Sequence, residues 1–305
     1  MGRAVKLLSL FLIILFSSAC SHTGPQRSET TESYAKTAYK TRKLTKAFED
    51  YWFSGEAEIT TYRLQQSRYG ELRDGKAVLI YVNEDFKTDE QVKADQQSDN
   101  NISILKLNRT KNFVTGIYPY SIMTSTFFPI VQQSHAIKVS TSIQEWCGHQ
   151  YMQINNRGNF EISSHSYFDG EADQNYAIQK DILEDELWSQ LRIDPNSLPI
   201  GKQKVVPGIE YIRLNHRDLK AYNANISKTD STYTIAYPEL ERTIRITFEK
   251  EFPYSIKGWQ ESTANGANDA KEIITATATK MNTLKTAYWK QNASKFEYLR
   301  DTLGL

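Results

Sequence analysis

The chain has 305 residues, with 37 basic and 36 acidic side chains and a formal net charge of +1. That balance excludes the concentrated basic face that nucleic-acid binding requires, so no nucleic-acid partner is expected. Two cysteines and 12% aromatic residues, 18 of them Tyr, point to a strand-rich fold held by buried apolar surface rather than by disulfides.

Gly2, Arg3 and Lys6 form a short basic start, and Leu7 to Phe16 an apolar run. The small residues Ser17, Ser18 and Ala19 lead into Cys20. This is the three-part order of an export signal, and its apolar run is too short for a membrane span, which takes roughly 20 residues. Ser-Ser-Ala-Cys resembles the bacterial lipoprotein signal, with Ser17 where that pattern usually has Leu. The resemblance implies cleavage after residue 19 and lipid on Cys20, hence a membrane contact through that lipid. An ordinary secretory signal that happens to contain a cysteine is the alternative. Ser21 after the cysteine is not the acidic residue that retains some lipoproteins in the inner membrane, so the expected location is the outer membrane, facing the periplasm. Residues 20–33 read as a polar tether.

Residues 34–305 read as one mainly-β domain, with two β subdomains meeting near residues 193–207 as the alternative. Tyr34 to Trp52 has the 3.6 period of a helix, interrupted at Thr41. Ala57, Ile59 and Thr61 alternate as in a strand, and Ala77 to Val82 is apolar on both faces. Asp74-Gly75 has the composition of a hairpin turn. Lys87 to Asn101 reads as a loop or short helix. Strands follow at Ile102 to Leu107 and Phe113 to Phe128, the latter breaking near Tyr118 because of Gly116 and Pro119. Ala136 to Ile154 and Phe160 to Phe168 come next.

Ile182 to Leu191 is a helix by the spacing of Leu183, Leu187 and Leu191. Ile209 to Leu214, Leu219 to Ile226, Tyr233 to Tyr237, Arg242 to Phe248 and Tyr254 to Gln260 read as strands. Lys271 to Thr283 has helical length, but its Thr-Ala alternation favours a strand. Tyr288 to Leu303 reads as a terminal helix. Short strands at this spacing, with few helices, predict a large curved antiparallel sheet or partly closed barrel with an N-terminal helix and one or two short helices.

The one local chemical pattern lies between Ile143 and Gly170. A loop at Asn156 to Gly158 would set Ile154 opposite Phe160, Met152 opposite Ile162 and Trp146 opposite Phe168. The other face would pair His149 with His165, Cys147 with Tyr167 and Glu145 with Asp169. Cross-strand neighbours at about 5 Å could share a metal or a proton. Metal binding by His149, His165, Glu145 and Asp169, or a nucleophilic Cys147 with His149 and His165, is one reading. A polar outer face is the other, and a one-residue slip in register would undo the pairing. Asp169 to Asp173 could extend an acidic site toward Ca²⁺ or form a solvated turn. His135 and His216 stand alone. No nucleotide, zinc-protease or Ser-hydrolase motif occurs, and no cofactor is implied.

Four stretches carry a wider resemblance: Tyr51 to Glu58, Arg68 to Arg73, Lys111 to Ser121 and Gln144 to His149. They look like a lipoprotein family of Flavobacteria and their relatives, over most of the mature chain. Members are often labelled septum formation inhibitor Maf, although the Ala-Ser-x-Ser-Pro-Arg-Arg-like motif of the cytoplasmic Maf pyrophosphatases is absent here. The resemblance implies a bacterial envelope location and no mechanism. The resulting expectation is a lipid-anchored, non-enzymatic binding module for an envelope protein, peptidoglycan or a lipid. A lipid carrier would need an apolar concave face. The alternative is a metal- or Cys/His-dependent hydrolase centred on the 145–169 hairpin.

Overall fold

The computed structural model describes residues 40–265 and 272–305. Cys20, the export signal, the tether and the first part of the expected N-terminal helix lie outside the described residues. Residues 39–305 group as one compact unit, built on a single 16-stranded sheet.

The first half of the sheet comprises β1 (Ala57–Arg68), β2 (Glu71–Lys87), β3 (Val92–Lys93), β4 (Asn101–Thr115), β5 (Tyr118–Pro129), β6 (Lys138–Glu145), β7 (Gly148–Asn156), β8 (Phe160–Ser166) and β9 (Gln174–Ile178). The second half comprises β10 (Ile182–Leu183), β11 (Gly201–Val206), β12 (Tyr222–Lys228), β13 (Thr232–Tyr237), β14 (Arg242–Phe248), β15 (Ile256–Asn265) and β16 (Glu272–Thr286). Four short helices join them: α1 (Lys46–Trp52), α2 (Glu184–Ile193), α3 (Ile209–Leu214) and α4 (Tyr298–Leu303). β16 pairs with β1, which joins the halves in the order β10 to β16, β1, β2, β4 to β9. β3 pairs with β2 off this path, and only β10–β11 is parallel.

Connectivity forces the sheet to curl. At about 4.8 Å per strand, a flat sheet would hold β9 and β10 roughly 65 Å apart. Ile178 and Ile182 are four positions apart in the chain, a reach of at most about 14 Å. The sheet therefore bends back until its edges meet, yet no ladder joins β9 to β10, so it is not closed.

α2 lies in the concavity. It packs on β4 and β5. The Trp188 ring meets Trp259 of β15 at 5.3 Å, and Tyr81 Oη of β2 donates to the Trp188 carbonyl at 3.1 Å. Inward positions alternate as pleating requires: Ile244, Ile246 and Phe248 on β14, and Tyr233, Ile235 and Tyr237 on β13, are all buried. Each such side chain contributes about 1.5–3 kcal/mol of apolar burial. The doubly apolar run in β2 also has a cause. Its outer residue Val78 packs with Ile59 and with Leu303 of α4.

Several expectations are corrected. Asp74-Gly75 is not a turn; both residues sit in β2, paired with Gln65 and Leu64. The turn falls at Tyr69-Gly70, both with positive φ (54° and 77°). Gly75 serves a close approach instead, since a Cβ there would lie 2.3 Å from the Asn112 carbonyl oxygen. α1 starts only at Lys46, where Thr45 Oγ1 caps the Phe48 N–H. Ile209 to Leu214 is helix α3 rather than strand. All six of its residues are buried, and Asp185 Oδ2 accepts the Ile209 N–H at 2.9 Å. The terminal segment holds short 3₁₀ turns before α4. Thr-Ala alternation prevails in β16, which is a strand.

Candidate binding cavity

Because neighbours alternate in direction, the turn at Tyr69-Gly70, the Gly116-Ile117 tip, the end of β11 and the start of β14 share one rim of the sheet. Lys40 to Arg42 join the opposite rim. There Arg42 N–H donates to the Val131 carbonyl at 2.7 Å, and Gln133 N–H to that of Lys40 at 2.8 Å.

At the first rim the inward stripe of β4 changes character. Leu105, Leu107, Arg109, Lys111 and Phe113 alternate inward, and all are buried. Two cations thus occupy places that pleating assigns to the core. Burying them unpaired would cost several kcal/mol, and helices α2 and α3 supply the partners. Arg109 Nη2 bonds Asp185 Oδ1 at 3.0 Å, and Lys111 Nζ bonds Glu210 Oε1 at 2.7 Å. Lys111 also donates to Gln66 Oε1 at 3.1 Å. On the facing strands, Arg242 donates to both Glu184 oxygens at 2.5 and 2.8 Å, and to Glu261 at 2.6 Å.

The start of α2 explains much of this network. Glu184, Asp185 and Glu186 favour a helix N-terminus by charge, and each reaches a different partner. Glu184 takes Arg242, Asp185 takes Arg109, and Glu186 accepts from the Ala136 N–H at 2.7 Å and pairs with His135 Nδ1 at 2.8 Å. Burial pushes the Asp185 carboxyl above its usual range despite Arg109. Burial acts the same way on Glu261, but Arg242 and Lys111 outweigh it and hold that carboxyl below its usual range.

Arg109, Lys111, Arg242, Glu184, Glu210 and Glu261 line a cavity of ≈ 470 Å³, walled also by Trp188, Trp259 and Tyr211. Exposed Tyr69, Asn215 and Arg217 lie at its mouth. This part of the concave face is polar and ion-paired, which removes the apolar lining an acyl chain needs. A second cavity of ≈ 520 Å³ lies beside Glu171, whose carboxylate bonds Arg213, Ser166 Oγ and His216 Nδ1.

The residues singled out in the sequence lie elsewhere, on the exposed surface. The expected strand through Ala136 to Ile154 is broken by a two-residue turn, Trp146-Cys147, between paired Glu145 and Gly148. The next loop is displaced by one position, so Asn156 pairs with Phe160, Ile154 with Ile162 and Tyr151 with His165. Gln91 is the cause. Its side chain donates to the Asn156 carbonyl at 2.8 Å and accepts from Asn155 Nδ2 at 2.6 Å, keeping both asparagines in the ladder.

His149 therefore faces Gln144 rather than His165, and the β7–β8 ladder begins beyond it, at Gln150. His165 Nδ1 meets Asp173 at 3.1 Å, and Asp169 is exposed at the edge of the second cavity. Cys147 is exposed and free, and its backbone N–H donates to Glu145 Oε2 at 2.7 Å. The Glu145 hydrogen bond pushes the thiol pKa up, the wrong direction for a nucleophile. Among the described residues, no group of three or more His, Cys, Asp and Glu is arranged to hold a metal.

No protein-family model matches the chain, and no curated protein matches it. Among solved structures, it is similar to a β-barrel-like protein of a domain of unknown function (DUF1849) from Brucella abortus. Identity is 7% and the TM-score 0.42, over 75% of this chain and 97% of that one. A porin-like protein from Bacteroides uniformis is similar at 8% identity and TM-score 0.23, over 73% and 95% of the two chains.

Proposed function

We propose that the protein is a lipid-anchored envelope protein that binds a polar ligand in the cavity between α2, α3 and the concave face of its sheet. The observation that carries this reading is the cavity itself, whose volume lies in the range of small-molecule sites, roughly 300–1,000 Å³. Its lining of paired Arg, Lys and Glu suits a ligand rich in hydrogen-bonding groups. Of the envelope ligands open to the sequence, peptidoglycan fragments fit that chemistry and acyl chains do not. No described helix is long and apolar enough to cross a membrane, so attachment in this reading rests on the lipid.

Calorimetric titration with soluble peptidoglycan fragments tests the proposal, run beside Ala276→Leu. Ala276 is buried and lines the cavity opposite Glu261 in the ladder, so a larger side chain there takes ligand space. Saturable binding that Ala276→Leu abolishes supports the reading. Binding unaffected by that change removes the cavity from it.

A further inference from the structure

We propose that the mouth of the cavity is a carboxylate-binding subsite made by Arg68 and Arg217, so that the ligand is acidic at its outer end. The inference rests on the cavity reading above and adds the charge and orientation of what binds. Its basis is how the cations along the lining are partnered. In the interior each one is matched. Arg242 bonds both Glu184 oxygens and Glu261. Glu210 lies 2.7 Å from Lys111 Nζ and 3.8 Å from Arg109 Nη2, and Arg109 also holds Asp185 at 3.0 Å. An anion placed there would have to displace a carboxylate that the fold already supplies. The interior therefore offers hydrogen bonds but no spare positive charge.

The mouth is different. Arg68 and Arg217 line the same cavity, and among the described residues neither forms an ion pair with a carboxylate. Arg68 is nonetheless held in place. Its Nη1 donates to the Leu214 carbonyl at 2.6 Å, its Nε to Tyr120 Oη at 3.4 Å, and its Nη2 to Tyr120 Oη and Tyr69 Oη, both at 3.3 Å. The guanidinium lies over the Tyr69 ring, 4.3 Å from its centre. All of these partners are neutral, so the group is fixed while its charge stays uncompensated. Arg217 is exposed just after α3, and Glu171 of the second cavity is already taken by Arg213 and His216. Against the two cations the lining adds one further carboxylate, Glu241. The surplus is felt nearby: burial holds the His216 imidazole below its ordinary pKa, and the charges of Arg213 and Arg68 lower it further. Guanidinium groups favour carboxylates, and such charge-assisted bonds are roughly twice as strong as neutral ones.

The test is calorimetric titration of the full chain with two probes that differ in one charge. The first is muramyl dipeptide, a soluble peptidoglycan fragment with a single free carboxylate. The second is the same molecule with that carboxylate converted to an amide. Each is titrated into the parent, Ala276→Leu, Arg217→Gln, Arg217→Lys and Arg68→Gln. The expected result is saturable binding of both probes, lost in Ala276→Leu, with the acid about tenfold tighter than the amide. Arg217→Gln, a change on an exposed side chain, should weaken the acid about tenfold and leave the amide within about twofold, and Arg217→Lys should recover part of the loss. Arg68→Gln should act as Arg217→Gln does where it folds. Added NaCl should weaken the acid more than the amide. Equal affinity for the two probes, both blocked by Ala276→Leu, overturns the carboxylate subsite and leaves the cavity as the site. A preference for the acid that persists in Arg217→Gln, or an equal loss of both probes there, overturns the assignment to the mouth. Binding of neither probe that Ala276→Leu blocks overturns the subsite and the cavity reading together.

Discussion

Glu58 and Arg192 face each other across two hydrogen bonds of 2.7 Å, and both side chains are almost fully buried. The pair ties the start of β1 to the last turn of α2, and so fixes the helix inside the curled sheet. Tyr51 Oη adds a third bond, to Glu58 Oε2 at 2.5 Å, and the Arg192 guanidinium lies 5.0 Å from the Trp52 ring centre. Burial raises the cost of charge on Glu58, but Arg192 and these hydrogen bonds outweigh it and hold the carboxyl below its usual range.

Breaking this pair from one side strands a buried charge. Glu58→Gln or Arg192→Met is therefore expected to cost about 3–5 kcal/mol in urea unfolding. Replacing both with Met should recover much of that loss. A single variant that unfolds at the parent's midpoint would remove the pair from the account.

The sequence-level reading followed the sheet well and its interior poorly, for identifiable reasons. Alternation in β13 and β14 is local, so it survives in the sequence as an unbroken period of two, whereas β4, one strand from Asn101 to Thr115, reads as two because Arg109 and Lys111 interrupt its apolar stripe. Asn156 is held from outside its hairpin, by Gln91, 65 positions away, and by Ala136 and Ile137, and no pattern within the hairpin carries that information. The cavity was partly legible. Arg109 and Lys111 sit on the apolar parity of β4, which marks buried cations needing partners. Those partners were hidden because α3, with Glu210, resembles a strand in composition, and because Glu184 to Glu186 read as an ordinary helix start.

Gly75 gives a packing prediction. Its place opposite Phe113 leaves no room for a side chain, with the Asn112 carbonyl oxygen 2.3 Å from a would-be Cβ. Gly75→Val should destabilise by about 1–3 kcal/mol through overpacking, read from the shift in thermal midpoint. Gly116→Ala serves as a contrast. Nothing lies within 4 Å there, so only its positive φ of 58° opposes the change.

His135 gives a pH prediction. Burial disfavours its charged form, but the hydrogen bond and charge of Glu186 outweigh burial and raise its pKa above the ordinary value. A raised pKa means that the native state holds the proton more tightly than the unfolded chain. The stabilisation is therefore full below about pH 6.5 and is lost as pH rises through the higher native value. Urea midpoints measured from pH 5.5 to 8.5 should fall across that window in the parent and lose this component in His135→Gln.

Cys147 should behave as an accessible, sluggish thiol. It is exposed, so Ellman's reagent should titrate it fully without denaturant. Its pKa is raised by Glu145, so Glu145→Gln should speed the reaction at neutral pH. Cys147→Ser should leave the urea midpoint at the parent's value, as for a surface position.

The ligand site can be read most directly from the tryptophan indole resonances of ¹⁵N-labelled protein titrated with soluble peptidoglycan fragments. Trp188 and Trp259 line the cavity, whereas Trp146 and Trp289 are exposed outside it. The account predicts that the Trp188 indole N–H, a donor with no protein partner among the described residues, shifts saturably while those of Trp146 and Trp289 stay in place. Movement confined to Trp146 or Trp289, or no movement of Trp188 at saturation, would contradict it.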